Sequence, residues 1–219
     1  MPVTHNHDTT VFDEEFWDTL YQARPHAWSG NPNPQLLREA TELAPGRALD
    51  LGCGEGADAL WLAEHGWTVT GMDISTTALE RAAEHVAERA AARRITWVHQ
   101  DLAQWRPKEH FDLISAQFLQ LPRELRMRIF DTCVSAVASG GTLLIVGHHP
   151  EGLPPWGAGS PPAELYYTPE QLAEDLALDS QSWTVDVLES RTRVATGPAG
   201  EDAHLTDTVL RATRIRDTE

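Results

Sequence analysis

The sequence predicts an α/β fold, a mostly parallel sheet covered by helices on both faces and finished by an antiparallel pair. Three observations predict it. Short apolar runs alternate with helical stretches from Arg47 to Val146. The first of these runs ends in three glycines, Gly52, Gly54 and Gly56. Two long extended segments, Trp183 to Val194 and Leu205 to Ile215, close the chain around a turn-rich Gly197-Pro198-Ala199-Gly200. Alternation of this kind implies parallel strands with helical crossovers, and right-handed crossovers then fix most of the topology. The two terminal segments read as a hairpin.

Taken in order, Phe12 to Tyr21 reads as a short helix carrying Phe12, Phe16, Trp17, Leu20 and Tyr21, followed by a loop rich in proline and glycine from Arg24 to Pro34. Gln35 to Leu43 reads as a second helix, stopped by Pro45-Gly46. Arg47 to Leu51 is a strand, Ala57 to Glu64 a helix with Gly66 as its stop, and Thr68 to Met72 the next strand. Ser75 caps a long helix whose buried face is Leu79, Ala82, Ala83, Val86 and Ala90. Ile95 to His99 and Phe111 to Ala116 are strands. Arg123 to Ala138 is a helix ended by Gly140-Gly141, and Thr142 to Val146 is a fully apolar strand. His148 to Tyr167 breaks the rhythm with five prolines and three glycines, and a loop of that length is expected to be functional. Thr168-Pro169-Glu170-Gln171 is a helix start with a capping hydroxyl, proline at N1 and glutamine at N3, for a helix running to about Leu178.

Composition bounds the function. The 219 residues are 41% hydrophobic and 23% charged, which suits one α/β domain. Its expected parts are an N-terminal helical cap (1–44), a core (45–147), a lid loop (148–168) and a C-terminal helix with hairpin (169–219). The net charge of −16 repels phosphate backbones and argues against a nucleic-acid substrate. No apolar run spans a bilayer and no signal peptide is visible, so a cytoplasmic location is expected. The two cysteines provide neither a disulfide framework nor a metal cluster; Cys133 shares a helical face with Leu125, Ile129 and Phe130 and reads as core.

The chemistry sits in Asp50-Leu51-Gly52-Cys53-Gly54-Glu55-Gly56, where a strand runs into glycines and a helix begins. Glycines there let a ligand approach the backbone beside the amides of a helix N-terminus. A phosphate loop would carry Gly-Lys-Ser/Thr, and this turn has no lysine. A dinucleotide turn would be spaced G-x-G-x-x-G, whereas this one is G-x-G-x-G, and Asp50, Glu55 and Asp58 would repel a pyrophosphate. A cationic ligand without phosphate fits better, and S-adenosylmethionine is one. Asp50 can face its amino-acid end. Asp73, at the end of the second strand, can hold the ribose hydroxyls, with Ile74 on the adenine face. Asp101, after the third strand, can accept the exocyclic amine. Each has a plainer reading: Asp73 as a helix cap, Asp101 as a turn residue.

The Asp50-to-Gly56 turn, Asp73 and Asp101 together resemble the successive motifs of class I S-adenosylmethionine-dependent methyltransferases, and Leu49 to Trp67 is similar to small bacterial members of the tellurite-resistance and thiopurine methyltransferase-like group. The resemblance implies a Rossmann-like, seven-stranded sheet with its last strand antiparallel. It also implies that Gly52, Cys53, Gly54 and Gly56 form the turn around the methionine portion, with Asp73 at the ribose, Ile74, Asp101 and Leu102 at the adenine, and Gln117 near the reacting methyl.

Methyl transfer is an in-line displacement that needs alignment and dryness more than a dedicated catalytic group. Ser115-Ala116-Gln117-Phe118 is not the Asn/Asp-Pro-Pro-aromatic motif of base-amine methylation, Gln117 is no magnesium ligand, and neither cysteine is placed as a nucleophile. A small-molecule O, N or S nucleophile remains. His148 and His149, where the fifth strand ends, are candidate bases; the plainer reading makes them the polar start of a loop. His148, His149, His5 and His7 match no standard metal spacing. Trp17, Tyr21, Trp28, Trp156, Tyr166 and Tyr167 can wall a pocket, Trp28 foremost because it stands in a Gly/Pro-rich loop, and an aromatic face can hold a sulfonium. The chain is expected to act as a monomer or homodimer. Two rival readings are a cofactor-binding module without turnover and a nicotinamide-dependent reductase; the reductase would need G-x-G-x-x-G and Tyr-x-x-x-Lys, and neither appears.

Overall fold

The computed structural model describes residues 12–24, 26–153, 155, 163–197 and 200–216. Helices α1 (Glu14–Gln22) and α2 (Pro34–Ala40) precede β1 (Arg47–Leu51), α3 (Ala57–Glu64), β2 (Thr68–Asp73), α4 (Thr76–Val86), β3 (Ile95–His99), β4 (Phe111–Gln117), α5 (Arg123–Ala136), β5 (Val137–His148), α6 (Pro169–Leu176), β6 (Trp183–Thr196) and β7 (Asp202–Arg214). The strands form one seven-stranded sheet in the order β3-β2-β1-β4-β5-β7-β6. β1 to β5 pair in parallel, and β7 runs antiparallel to both of its neighbours. The expected fold is the observed one.

Side chains on successive strand residues face opposite sides of the sheet, and both sides are filled. Leu49, Leu51, Ile114, Ala116, Leu143 and Ile145 face a core completed by Phe130 and Cys133 of α5 and Leu172 of α6. Ala48, Leu113, Leu144 and Val146 face the other core, completed by Leu36 of α2 and Leu62 of α3. Near-continuous apolar runs in β4 and β5 follow from this double burial. Cys133 is fully buried, as its helical face predicted. α6 carries the expected capping box: the Thr168 hydroxyl accepts from the Gln171 amide, and the Gln171 side chain accepts from Thr168 N–H.

Several boundaries move by a few residues, α2 ending at Ala40 and β7 beginning at Asp202, and two of the changes have a plain cause. α5 ends at Ala136, not Ala138, because Val137 turns extended (ψ 133) and pairs with Phe111. Gly140-Gly141 therefore terminates no helix. It lies in an irregular stretch of β5 before pairing resumes at Thr142, with Gly140 in the left-handed region at φ +78. α4 stops at Val86, and Ala83 and Ala90 are exposed. A 3-10 turn over Ala90–Arg94 follows, where Arg94 donates to the Gly66 carbonyl at 3.2 Å and delivers the chain into β3.

Because β1 to β5 are parallel and in register, Leu51, Asp73, His99, Gln117 and His148 all end at one edge of the sheet. That edge is where open α/β sheets take ligands. Among the described residues no helix is long and apolar enough to cross a membrane.

Candidate active site at the carboxyl edge of the sheet

The glycine turn is a backbone requirement before it is a ligand site. Gly52, Gly54 and Gly56 have φ of +67, +52 and +80. A β-carbon at Gly54 would stand 2.9 Å from the Tyr21 hydroxyl, and one at Gly56 would stand 2.6 Å from the Trp97 ring. No side chain fits either place. The amides are less free than the sequence suggested. Gly54 N–H donates to Asp73 Oδ2 at 2.8 Å, Gly56 N–H to the Cys53 carbonyl at 2.9 Å, and Cys53 N–H to the Met72 carbonyl at 3.0 Å.

The acids around this turn divide by task. Glu55 points away from the cleft: one oxygen accepts from the amides of Ala27 and Trp28 (3.1 and 3.3 Å), the other from Arg81 (3.1 Å). Asp58 accepts from Asn33 N–H at 2.6 Å. These two therefore fasten the N-terminal segment, which the sequence did not show. Asp73 grips Gly54 N–H and, through Oδ1, Ser75 N–H at 2.9 Å. The cap of α4 is Ser75, whose hydroxyl accepts from Ala78 N–H at 3.0 Å; Asp73 is not that cap but ties the glycine turn to the start of the helix. Asp50 is 2% exposed, and its Oδ2 is buried without a partner. Asp101 closes a turn, accepting from Ala103 N–H (2.8 Å) and from the Gln104 side chain (2.7 Å). Leu102 is buried in the core, while Ile74 beside Asp73 keeps a half-exposed face.

Burial, then the charges of Asp58 and Asp73, pushes the Asp50 carboxyl well above the usual carboxylate range. Burial raises Asp73 as well, against the pull of its backbone donors, and raises the Cys53 thiol, which leaves that sulfur unreactive. Asp58 is raised to about 6 by burial, opposed by the Asn33 amide. The sign follows: the folded state holds the Asp58 proton more tightly than the unfolded chain, so the contribution of this one group to stability is fully present below about pH 4 and is lost as pH rises through about 6. Asp58→Asn is expected to raise stability by about 2 kcal/mol at pH 8 and by little at pH 4. Urea denaturation of both proteins at the two pH values checks this, and an equal effect at both would contradict it.

α1 and the following loop cover the turn. Asp18 accepts from the Ser75 hydroxyl (2.5 Å) and Thr77 N–H (3.1 Å), which sets α1 against the start of α4. Tyr21 is 3% exposed and lies over Gly54, and Trp28 Nε1–H donates to its hydroxyl at 3.1 Å. Trp28 itself is 56% exposed at the rim. Tyr167 belongs to the core, under the Arg126 guanidinium at 4.4 Å, and Trp17 packs with Phe16 and Phe12. Trp156 lies outside the described residues, as do His5 and His7.

Beyond β4 the backbone is strained. Phe118 has φ +54, costly for an aromatic residue and a recurrent feature of functional sites. It follows Gln117, whose Nε2 donates to Ser115 Oγ at 2.8 Å and whose Oε1 is buried without a partner. The Phe118 ring lies 4.4 Å from that of His148. Burial drives His148 down to about 4, opposed by Asp207 and assisted by Arg193, so the ring is neutral at physiological pH. His149 is differently engaged: its Nδ1 accepts from Glu151 N–H at 3.0 Å, and its backbone N–H pairs with Thr206. Of the two histidines, His148 is the one beside Gln117 and Phe118. Asp207 and Arg193, which pack around it, were not singled out from sequence. The available signal was an acid in phase with the apolar Leu205 and Val209.

A glycine turn beside an unpaired buried acid suits a cation, and the comparisons with known proteins bear on what that cation belongs to. The family described as a methyltransferase domain matches residues 48–141. The 2-heptyl-1-hydroxyquinolin-4(1H)-one methyltransferase of Mycobacteroides abscessus is 32% identical over 185 residues, 82% of this chain and 78% of that protein. Among solved structures, NodS, an N-methyltransferase of Bradyrhizobium japonicum WM9 in complex with S-adenosyl-L-homocysteine, superposes with a TM-score of 0.66 at 24% identity, covering 96% of this chain and 100% of that one. TehB from Haemophilus influenzae does so at 0.67 and 20% identity, covering 93% and 67%. The fold is thus shared with both, and the relationship to the mycobacterial enzyme extends along most of the two sequences. The glycine turn, the acids at successive strand ends and the reversed β7 thereby find one explanation: the chain belongs to the class I S-adenosylmethionine-dependent methyltransferases.

Proposed function

We propose that this enzyme methylates a hydroxyl, thiol or N–H group of a small, largely apolar molecule, with His148 as the base that takes the acceptor's proton. The observation that carries the cofactor side is the buried, unpartnered Asp50 Oδ2 beside three left-handed glycines. S-adenosylmethionine, when bound, supplies an activated methyl on a sulfonium. Its positive charges relieve the cost of the Asp50, Asp58 and Asp73 carboxylates, which burial otherwise drives toward the protonated form. Asp73 and Ile74 are placed for the ribose and adenine, with Asp101 and Leu102 at the adenine's far side. Gly52, Cys53, Gly54 and Gly56 border the amino-acid end as a tight turn, their amides serving largely within the protein. Tyr21 and Trp28 close the cleft above.

The acceptor side is built by Gln117, Phe118, Leu119 and His148. Phe118 gives an aromatic wall, Gln117 keeps an unpaired carbonyl oxygen, and His148 is a neutral imidazole with 23% of its side chain exposed. An imidazole driven down to about 4 is a weak base, and beside an aromatic wall it suits an acidic X–H on a ring system, such as the N–OH of the N-hydroxyquinolone that names the mycobacterial relative. The net charge of −16 supports a small acceptor over nucleic acid.

The test is calorimetry with S-adenosylhomocysteine and NADP, and radiolabelled methyl transfer to 2-heptyl-1-hydroxyquinolin-4(1H)-one, 4-nitrothiophenol, 1-naphthol and benzylamine. Adenosylhomocysteine is expected to bind, with proton release as the acids ionise, and at least one aromatic X–H acceptor to be methylated. His148→Gln is expected to lower kcat on that acceptor by about 100-fold with adenosylhomocysteine affinity unchanged. Binding of adenosylhomocysteine with no transfer to any of the four, or full activity of the glutamine variant, would overturn the acceptor reading.

A further inference from the structure

His148 and Asp207 face each other across the β5–β7 ladder, where they form one register pair. His148 Nδ1 and Asp207 Oδ1 are 4.0 Å apart, and both atoms are buried without a hydrogen-bond partner. Two orphaned polar atoms facing one another are costly in a sheet interior unless they serve each other. The rest of the Asp207 carboxylate is occupied. Its Oδ2 accepts from Arg193 Nε at 2.8 Å and from Gln35 Nε2 at 3.2 Å. Oδ1 is the oxygen left over, and it is the one turned toward the imidazole. Asp207 is also fully buried in phase with Leu205 and Val209, a position where sheet packing alone would favour an apolar residue.

We propose that Asp207 is a positioning residue that fixes the His148 imidazole as the Nδ1–H form and directs Nε2 at the methyl acceptor. This rests on the base role proposed above for His148. An Nδ1 lone pair facing a carboxylate oxygen is repelled, whereas an Nδ1–H is attracted, so Asp207 selects the tautomer whose free lone pair is on Nε2. A separation of 4.0 Å is too long for a hydrogen bond, and contacts of this kind tighten when the site fills. The ring has little room to turn elsewhere. Phe118 lies against its face at 4.4 Å, and with its amide oxygen turned toward the strand the Gln120 side chain accepts from the His148 backbone N–H at 2.9 Å. Arg193 sits over Phe118 at 5.4 Å while tethering Asp207, so carboxylate, imidazole and aromatic wall are braced as one unit.

The proton balance is explicit. The acceptor's X–H proton passes to the Nε2 lone pair, and the electron pair left on X forms the new bond to the methyl carbon. The carbon–sulfur pair returns to sulfur, and the resulting imidazolium keeps its Nδ1–H toward Asp207, whose charge steadies it.

Long-range 1H–15N correlation spectra of the full-length enzyme, with the His148 signals assigned by their loss in His148→Gln, read the tautomer without cofactor or acceptor. At pH 7.5 the wild type is expected to show Nδ1 protonated and Nε2 bare. Asp207→Asn turns a donor toward the ring and is expected to reverse this. With 2-heptyl-1-hydroxyquinolin-4(1H)-one as probe, Asp207→Asn should lower kcat by about 100-fold with KM within about threefold, and the His148→Gln/Asp207→Asn double variant should be no slower than His148→Gln. A wild-type His148 protonated on Nε2 overturns the proposal even if the asparagine variant fails to fold, and so does a tautomer unchanged by the substitution. The expected tautomers in an enzyme that methylates none of the probes would support the dyad while removing the acceptor reading.

Discussion

Asp73→Ala is expected to lower adenosylhomocysteine affinity by at least about 100-fold, the largest single-residue effect on binding in this enzyme. The reason lies in how the side chain is used. One carboxylate oxygen holds Gly54 N–H at 2.8 Å and the other holds Ser75 N–H at 2.9 Å. Alanine leaves two amides unsatisfied, each costing about 1–3 kcal/mol where it stays buried. It also removes the acid placed for the ribose. Gly54 is then free to leave φ +52, and with it the space under Tyr21 is lost. Asp73→Asn keeps one acceptor oxygen and should fall between the two. Calorimetry with adenosylhomocysteine, with near-ultraviolet circular dichroism to show that the fold persists, checks this. Affinity within a few-fold of wild type would mean that Asp73 only ties the glycine turn to the start of α4.

The particular residues show where sequence reading reaches and where it stops. Asp73 was legible because its surroundings are local: a strand end, a Gly-rich turn one crossover earlier, a helix cap two residues on. Ala57–Glu64 and Ile95–His99 were legible for the same reason, their periodicity being set by one face or one strand. The end of α5 was not. Gly140-Gly141 has the local signature of a helix stop, but the pairing of Val137 with Phe111 is a tertiary event that ends the helix first. Glu55 and Asp58 were read by charge as part of the cleft, whereas the structure spends them on the amides of Ala27, Trp28 and Asn33. A hydrogen bond across 25 or more residues leaves no periodic trace. Asp207 stayed hidden likewise, because only the antiparallel register places it opposite His148.

The largest expected effect on stability comes from a residue that touches no ligand. Glu39 on α2 is 5% exposed, with Oε1 2.6 Å from Arg191 and Oε2 2.9 Å from Arg211. Arg191 is itself only 8% exposed and also meets Gln35 Oε1 at 3.3 Å. Taking these charges out of water is costly, and the pairing repays it only while every member is present. Glu39→Ala leaves the buried Arg191 with only Glu189 at 2.7 Å and Arg211 with only Asp186 at 3.7 Å, and is expected to cost about 3 kcal/mol, or about 10 °C in melting temperature. The double substitution Glu39→Leu/Arg191→Met removes both buried charges and should recover most of that loss, which urea denaturation of the single and double variants measures directly. The location gives the test a second edge. Gln35 stands one helical turn before Glu39 and bonds both Arg191 and Asp207, so α2 is fastened to the hairpin strand that faces His148. Loosening that joint should therefore lower kcat in the folded single variant while leaving adenosylhomocysteine affinity unchanged, because the cofactor acids hang from β1, α3 and β2 and not from the hairpin. A fall in cofactor affinity matching the fall in kcat would mean instead that the two halves of the site are mechanically one.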